Sequence, residues 1–181
     1  MCWESFLRNV FDETNMIFAV DVDYRNNSAI AAGVLFRNWE DREPVEELIA
    51  QIAAVAAYEP GQFYKRELPC VLELLKQLKQ LPEYVVIDGY VYLGGNKKPG
   101  FGKHLYNALQ EKSVVIGVAK SRFKDTPADA EVFRGGSKRA LYVTAIGVSE
   151  IEAKDFIIRM HGENRLPTLL KRVDQLSKRV V

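Results

Sequence analysis

Two aspartates stand where apolar strands would not place a charge for packing. Asp21 interrupts the run AVDVDY, and Asp88 ends VVID just before Gly89. A carboxylate taken into such a run is costly to desolvate unless a cation compensates it. Open α/β sheets present their functional groups outside the carboxyl ends of strands. If the two strands are neighbours, the carboxylates converge at a spacing suited to one hard cation with oxygen ligands. Glu67, which follows the turn Pro60-Gly61 and opens a helix, is the natural third oxygen. Acids grouped around Mg²⁺, or Mn²⁺ in its place, suit phosphodiester hydrolysis. The metal acidifies an attacking water, holds a non-bridging oxygen and stabilises the leaving 3′ oxygen. Lys120, in the strand exit GVAKS, adds positive charge at the same phosphate or orients the nucleophile. Singly, each residue also has an ordinary role. Glu67 reads as a helix-start acid and Lys120 as a surface lysine, while Asp23 is either a second ligand or a turn cap beside Arg25 and Asn26.

Positioning these groups requires a sheet. Asn15 to Tyr24 and Ser28 to Arg37 read as two strands joined by the turn residues 25–28, an antiparallel hairpin. Glu43 to Ala57 is ambiguous: Val45, Leu48, Ile49, Ile52 and Val55 fit helical spacing, Leu48, Ala50, Ile52 and Ala54 share one face of a strand, and periodicity alone favours the helix. Arg66 to Gln80 is an amphipathic helix with Pro69 in its first turn, followed by a buried strand from Glu83 to Asp88. Gly100 to Gln110 reads as a helix, Ser113 to Ala119 and Leu141 to Val148 as strands. Ser149 and Glu152 form a capping box for a helix ending near Arg159. Leu166, Leu169, Leu170, Val173 and Leu176 stripe a last helix that begins at Pro167 and ends among basic residues. The class expected is α/β, a mixed sheet covered by helices on both faces.

With 181 residues, 48% of them hydrophobic, the chain suits one domain over 1–181. A formal charge of +1 excludes a global positive field, so any grip on nucleic acid must come from local clusters: Lys97 and Lys98, Arg134 to Arg139, and Lys171 to Arg179. Cys2 and Cys70 form neither a disulfide framework nor a zinc motif. No leader-like or membrane-length apolar run is present, which points to a soluble, cytoplasmic chain with no membrane partner; no feature of the sequence predicts a protein partner.

DVDY, YEPGQFYKRE, the IDG strand end, GFGKHL and GVAKS, in this order, resemble the endonuclease V family. The resemblance runs roughly from Ile17 to Arg122. It implies a ribonuclease-H-like mixed five-stranded sheet, antiparallel hairpin strands followed by parallel ones, and turns the segment 43–57 into the third antiparallel strand against its periodicity. It implies cleavage of DNA at the second phosphodiester 3′ to a deoxyinosine, leaving 3′-hydroxyl and 5′-phosphate ends. Asp21, Asp88 and Glu67 would be metal ligands, and Lys120 the active-site lysine. Tyr58 would be a wedge that opens the strands so that the modified base swings out. That base would be read by close backbone approach along Gly94, Gly95, Gly100 and Gly102, with His104 beside it. The chain also departs from the family pattern. Ala57 and Glu59 flank the tyrosine, with Glu59 set against a phosphate backbone, and Gly94 stands where a histidine is usual. MHGENR replaces the late glycine-histidine motif, leaving His161 or Glu163 as the fourth ligand. Such divergence keeps open an inosine-RNA or structure-specific nuclease, and a non-catalytic nucleic-acid-binding domain.

Overall fold

The turn 25–28 folds as its composition implies. Asn26 takes a left-handed φ of 54° and the Ser28 hydroxyl donates to the Arg25 carbonyl at 2.9 Å, closing a hairpin between β1 (Ile17–Arg25) and β2 (Ser28–Phe36). The computed structural model describes residues 15–57 and 59–179, so Tyr58 and Cys2 lie outside the described residues. The other elements are β3 (Glu46–Ile52), α1 (Tyr64–Leu75), β4 (Tyr84–Ile87), the short β5 (Tyr92–Leu93) and β6 (Lys98–Pro99), and α2 (Phe101–Ala108). They continue with β7 (Val114–Ala119), β8 (Glu131–Val132), β9 (Leu141–Ile146), α3 (Glu150–Arg159) and α4 (Thr168–Ser177).

The main sheet has seven strands in the order β3-β2-β1-β4-β7-β9-β8. Its first five are the mixed set expected, with β3, β2 and β1 antiparallel and β1, β4 and β7 parallel; β9 and β8 extend it antiparallel. Side-chain alternation sends Ile17, Ala19, Val86, Ile116 and Val118 to a core under α3 and α4, and Phe18, Val20, Val85, Ile87 and Val115 to a core under α1 and α2. Asp21, Asp88 and Lys120 continue the first series, so all three emerge on the α4 side.

Segment 43–57 supplies β3, against its helical period, because β2 offers it a complete antiparallel register from Ala29↔Ile52 to Leu35↔Glu46. The helix expected from Arg66 begins two residues earlier, at Tyr64, and ends at Leu75, which puts Pro69 in its second turn rather than its first. The capping box forms as expected: Ser149 Oγ accepts from the Glu152 amide at 3.2 Å and donates to its carboxylate at 2.7 Å.

The end of β4 is fixed from behind by Gly117. A Cβ there would stand 2.6 Å from the Gly89 carbonyl oxygen and 2.9 Å from both Thr144 Oγ1 and the Val91 nitrogen, which Thr144 itself accepts from at 2.9 Å. Gly117→Ala must therefore push the residue after Asp88 outward. The expected loss is about 2 kcal/mol, or roughly 5 °C in Tm for a chain of this size; an unchanged melting curve would refute this packing argument.

Candidate active site

β1 and β4 are parallel neighbours whose last paired residues are Val20 and Ile87. Asp21 and Asp88 are the next residue on each strand and so stand side by side at the carboxyl end of the sheet. β7 delivers Lys120 beside them: its Nζ lies 2.7 Å from Asp88 Oδ2 and 2.6 Å from Asp174 Oδ1. α4 closes this face. Its buried Ser177 donates to Asp21 Oδ2 at 2.6 Å, and Lys178 holds the other oxygen of Asp174 at 2.8 Å. Arg25 at the end of β1 reaches the Arg179 carbonyl at 2.8 Å, a cation placed where a helix C-terminus favours one. Asp23 pairs with Arg25 at 3.2 Å.

Glu67 approaches from the opposite helix layer, on the first turn of α1, and only 8% of it is exposed. Burial, then the charges of Asp21 and Asp88, push its carboxyl up to about 8. Asp21 is raised as well, by burial above all, and by Asp88 and Asp174 against the opposing pull of Ser177 and Lys120. Asp174 moves the other way, because its hydrogen bonds to Lys120 and Lys178 outweigh its burial. Lys120 is correspondingly held above the usual lysine range, its two carboxylate partners outweighing the cost of burying it.

Two of the four acids, Asp21 and Glu67, are thus held protonation-prone, by burial first and then by the neighbouring acids' charges, a deficit of compensation that Lys120 offsets only in part at Asp21. That deficit, on an all-oxygen donor set, fits a divalent cation. Among the described residues no three acidic, histidine or cysteine side chains are already drawn into a closed metal cage. Mg²⁺ does not require one, since it keeps several waters and uses one or two carboxylates.

The remaining expected residues are placed as follows. His161 lies elsewhere, with Nε2 accepting from Arg42 Nε at 3.0 Å and Nδ1 2.9 Å from Thr168 Oγ1. The fourth acid at the cluster is Asp174, which the sequence reading missed; its one signal was to be the only acid between Leu166 and Arg179. Glu163 sits in the same loop as His161, its carbonyl against Gly135. Of the glycines, Gly100 joins Gly61 and Gly89 in lining a cleft of about 300 Å³ beside Glu67 and Asp88, walled by Phe63, Phe123 and Tyr90. Gly102 instead packs α2 on the sheet, where a Cβ would stand 2.8 Å from Val91 Cγ2. Gly94 and Gly95 face the carbonyls of Lys124 and Asp125. His104 stacks on Tyr64 at 3.6 Å between ring centroids, backing the cleft wall, and its burial lowers its pKa. Glu59 is neutralised by Lys65 at 2.9 Å, which answers the repulsion its position implied.

A mixed sheet of this strand order, with Asp21 midway along β1 beside Asp88 just past the end of β4 and a helix carrying another acid across them, has a ribonuclease-H-like fold. The crystal structure of human ENDOV shares it with a TM-score of 0.72 at 22% identity, covering 93% of this chain and 84% of that one. So does Ciona intestinalis endonuclease V crystallised with a 23mer DNA containing an inosine followed by a ribo-adenosine, with a TM-score of 0.71 at 17% identity over 93% and 86% of the two chains. The endonuclease V family pattern matches residues 3–171, and the chain belongs to that family. Endonuclease V of Rippkaea orientalis is 32% identical over 116 residues, 64% of this chain, and the chain spans 49% of that relative's length in this match. No helix among the described residues is long and apolar enough to cross a membrane.

Proposed function

We propose that this chain is a divalent-metal-dependent endonuclease that hydrolyses DNA beside a deaminated base, with deoxyinosine as the lesion and the second phosphodiester on its 3′ side as the bond cut. The observation that carries this reading is the parallel register that sets Asp21 beside Asp88, with Glu67 electrostatically coupled to both. Asp21, Asp88 and Glu67 would hold Mg²⁺, or Mn²⁺ in its place, and Asp174 takes the fourth place that the sequence offered to His161. The metal, when bound, supplies a Lewis acid and an acidified water at neutral pH.

The chain's own groups do the rest. Lys120, held by Asp88 and Asp174, presents a cation to the phosphate and fixes the two carboxylates against rotation. Ser177 orients Asp21. The aromatic cleft beside Glu67 and Asp88 is placed to take an extruded base, and the glycines on its rim let a purine approach backbone. Tyr58, in the chain just ahead of Gly61, would be the wedge. DNA in complex with a fold relative supports nucleic acid as the partner.

The test uses matched oligonucleotides with one deoxyinosine, one inosine in RNA, or neither, in Mg²⁺ and in EDTA. Cutting of the deoxyinosine strand two bonds along, with 5′-phosphate ends and only in Mg²⁺, is expected. Preference for the RNA would move the substrate, and equal cutting of the unmodified strand would remove base recognition.

A further inference from the structure

A second concavity leaves the site on the side away from the base cleft. It runs between the exit of β7 (Lys120, Ser121, Arg122) and the β8–β9 hairpin, which contributes Phe133, Lys138, Arg139 and Tyr142 and one acid, Glu131, with a volume of about 450 Å³. The ridge between cleft and groove is the segment 120–123. Tyr90 pins it by donating to the Ser121 carbonyl at 2.8 Å and accepting from the Phe123 amide at 3.0 Å. Phe123 faces the cleft, Arg122 the groove, and Lys120 stands at the crest.

The groove's chemistry is specific. Phe133 is 57% exposed although it sits between buried Val132 and buried Arg134. Its outward direction is enforced, because the Arg134 guanidinium donates to the carbonyls of Met160, Asn164 and Gly162 and locks the arm that carries it. Lys138 and Arg139 are exposed, and their side chains have no ion-pair partner among the described residues; Arg122 is held by a hydrogen bond to the Thr126 carbonyl at 2.8 Å and lies 3.9 Å from Glu131, so half of its guanidinium side chain still faces solvent. A rigidly presented ring flanked by free cations is what unpaired nucleotides recognise: bases stack on the ring while phosphates meet the charges.

We propose that this groove binds the 3′ side of the cut strand as unpaired nucleotides, with Phe133 stacking a base and Arg122, Lys138 and Arg139 contacting phosphates. The assignment rests on the nuclease reading above: a strand with its lesion in the cleft and its 3′ scissile bond at Asp21 and Asp88 must cross the crest at Lys120 and leave along this groove.

The experiment measures kcat/KM in Mg²⁺ on deoxyinosine strands with a constant 5′ part and 3′ tails lengthened one nucleotide at a time beyond the cut. The wild-type chain should gain with the first few tail nucleotides and lose that gain when a complementary strand pairs the tail. Phe133→Ala should lose about tenfold on the long tail and less on the shortest, and Phe133→Trp should restore it. Lys138→Ala with Arg139→Ala should lower the slope of log affinity against log salt by about 1.4 for a single strand, measured as binding in EDTA. Wild-type cutting that is indifferent to the tail, or equal losses on long and short tails, overturns the groove and leaves the nuclease reading standing. No cutting of any deoxyinosine strand overturns both.

Discussion

Glu67→Gln should make the metal-free protein more stable at alkaline pH while removing its cleavage activity. The sign follows from the direction of the shift. Burial and the charges of Asp21 and Asp88 raise the folded-state pKa of Glu67 to about 8, from an ordinary value of 4.5 in the unfolded chain. Below 4.5 both states hold the proton, and the full stability is present. Between 4.5 and 8 the unfolded chain gives it up first, so stability falls, and above 8 the loss is complete. The difference across that window is about 5 kcal/mol. Glutamine has nothing to titrate, so the variant should gain on the wild type steadily from pH 5 to pH 8.5. Chemical denaturation in EDTA at the two pH values measures it, and the lowered His104 cancels because both proteins carry it. Mg²⁺ should stabilise the wild type at pH 8.5 by more than it stabilises the variant, which keeps Asp21 and Asp88 but lacks the strained carboxylate that the metal relieves. Parallel stability curves for the two proteins would show that Glu67 is not under electrostatic strain. On the proposed reading, a metal-binding acid is stored here at a cost to the fold, as expected where binding rather than packing selects the residue.

How far such a site can be read from sequence depends on whether its members announce themselves locally. Asp21 and Asp88 do, because an acid among Val20, Val22, Val86 and Ile87 violates the pattern of the strand that carries it. Their mutual approach is then a matter of one parallel pairing. Asp174 does not announce itself. It follows Val173 on the flank of an ordinary amphipathic helix, and its meaning arises only when α4 lies across β1 and brings it to Lys120, 54 residues away in the chain. His161 has the opposite history: a histidine beside a glycine invites a ligand role, yet Arg42 and Thr168 take both its nitrogens. β3 shows the same limit for secondary structure. Its apolar spacing suits a helix, and the waiting edge of β2 overrides it, with Arg172 of α4 clasping Glu47 on the strand and Glu43 just ahead of it. Likewise the aromatic wall of the cleft assembles Phe63, Tyr90 and Phe123 from three separate segments, none of them unusual alone.

Replacing Asp88 by Ala should abolish Mg²⁺-dependent cleavage, by about 10³-fold or more, without weakening the hold on DNA. The two effects separate because the acid serves chemistry and opposes binding. In metal-free buffer Asp88 is a negative group at the point where a phosphate must sit, so its removal relieves a like-charge contact. Lys120 keeps Asp174 as its partner at 2.6 Å and is not left as a buried unpaired cation, so the local fold should persist. Affinity for a deoxyinosine strand in EDTA should therefore be equal to or tighter than wild type, while turnover in Mg²⁺ disappears. Asp21→Asn should behave alike in turnover, since the amide can still accept from Ser177 and keeps the shape of the site. The pair of measurements discriminates between the functions open to this fold. Loss of cutting with retained binding identifies a nuclease whose acids are its catalytic equipment; a low background that neither substitution changes identifies a domain that grips nucleic acid and no longer cuts it.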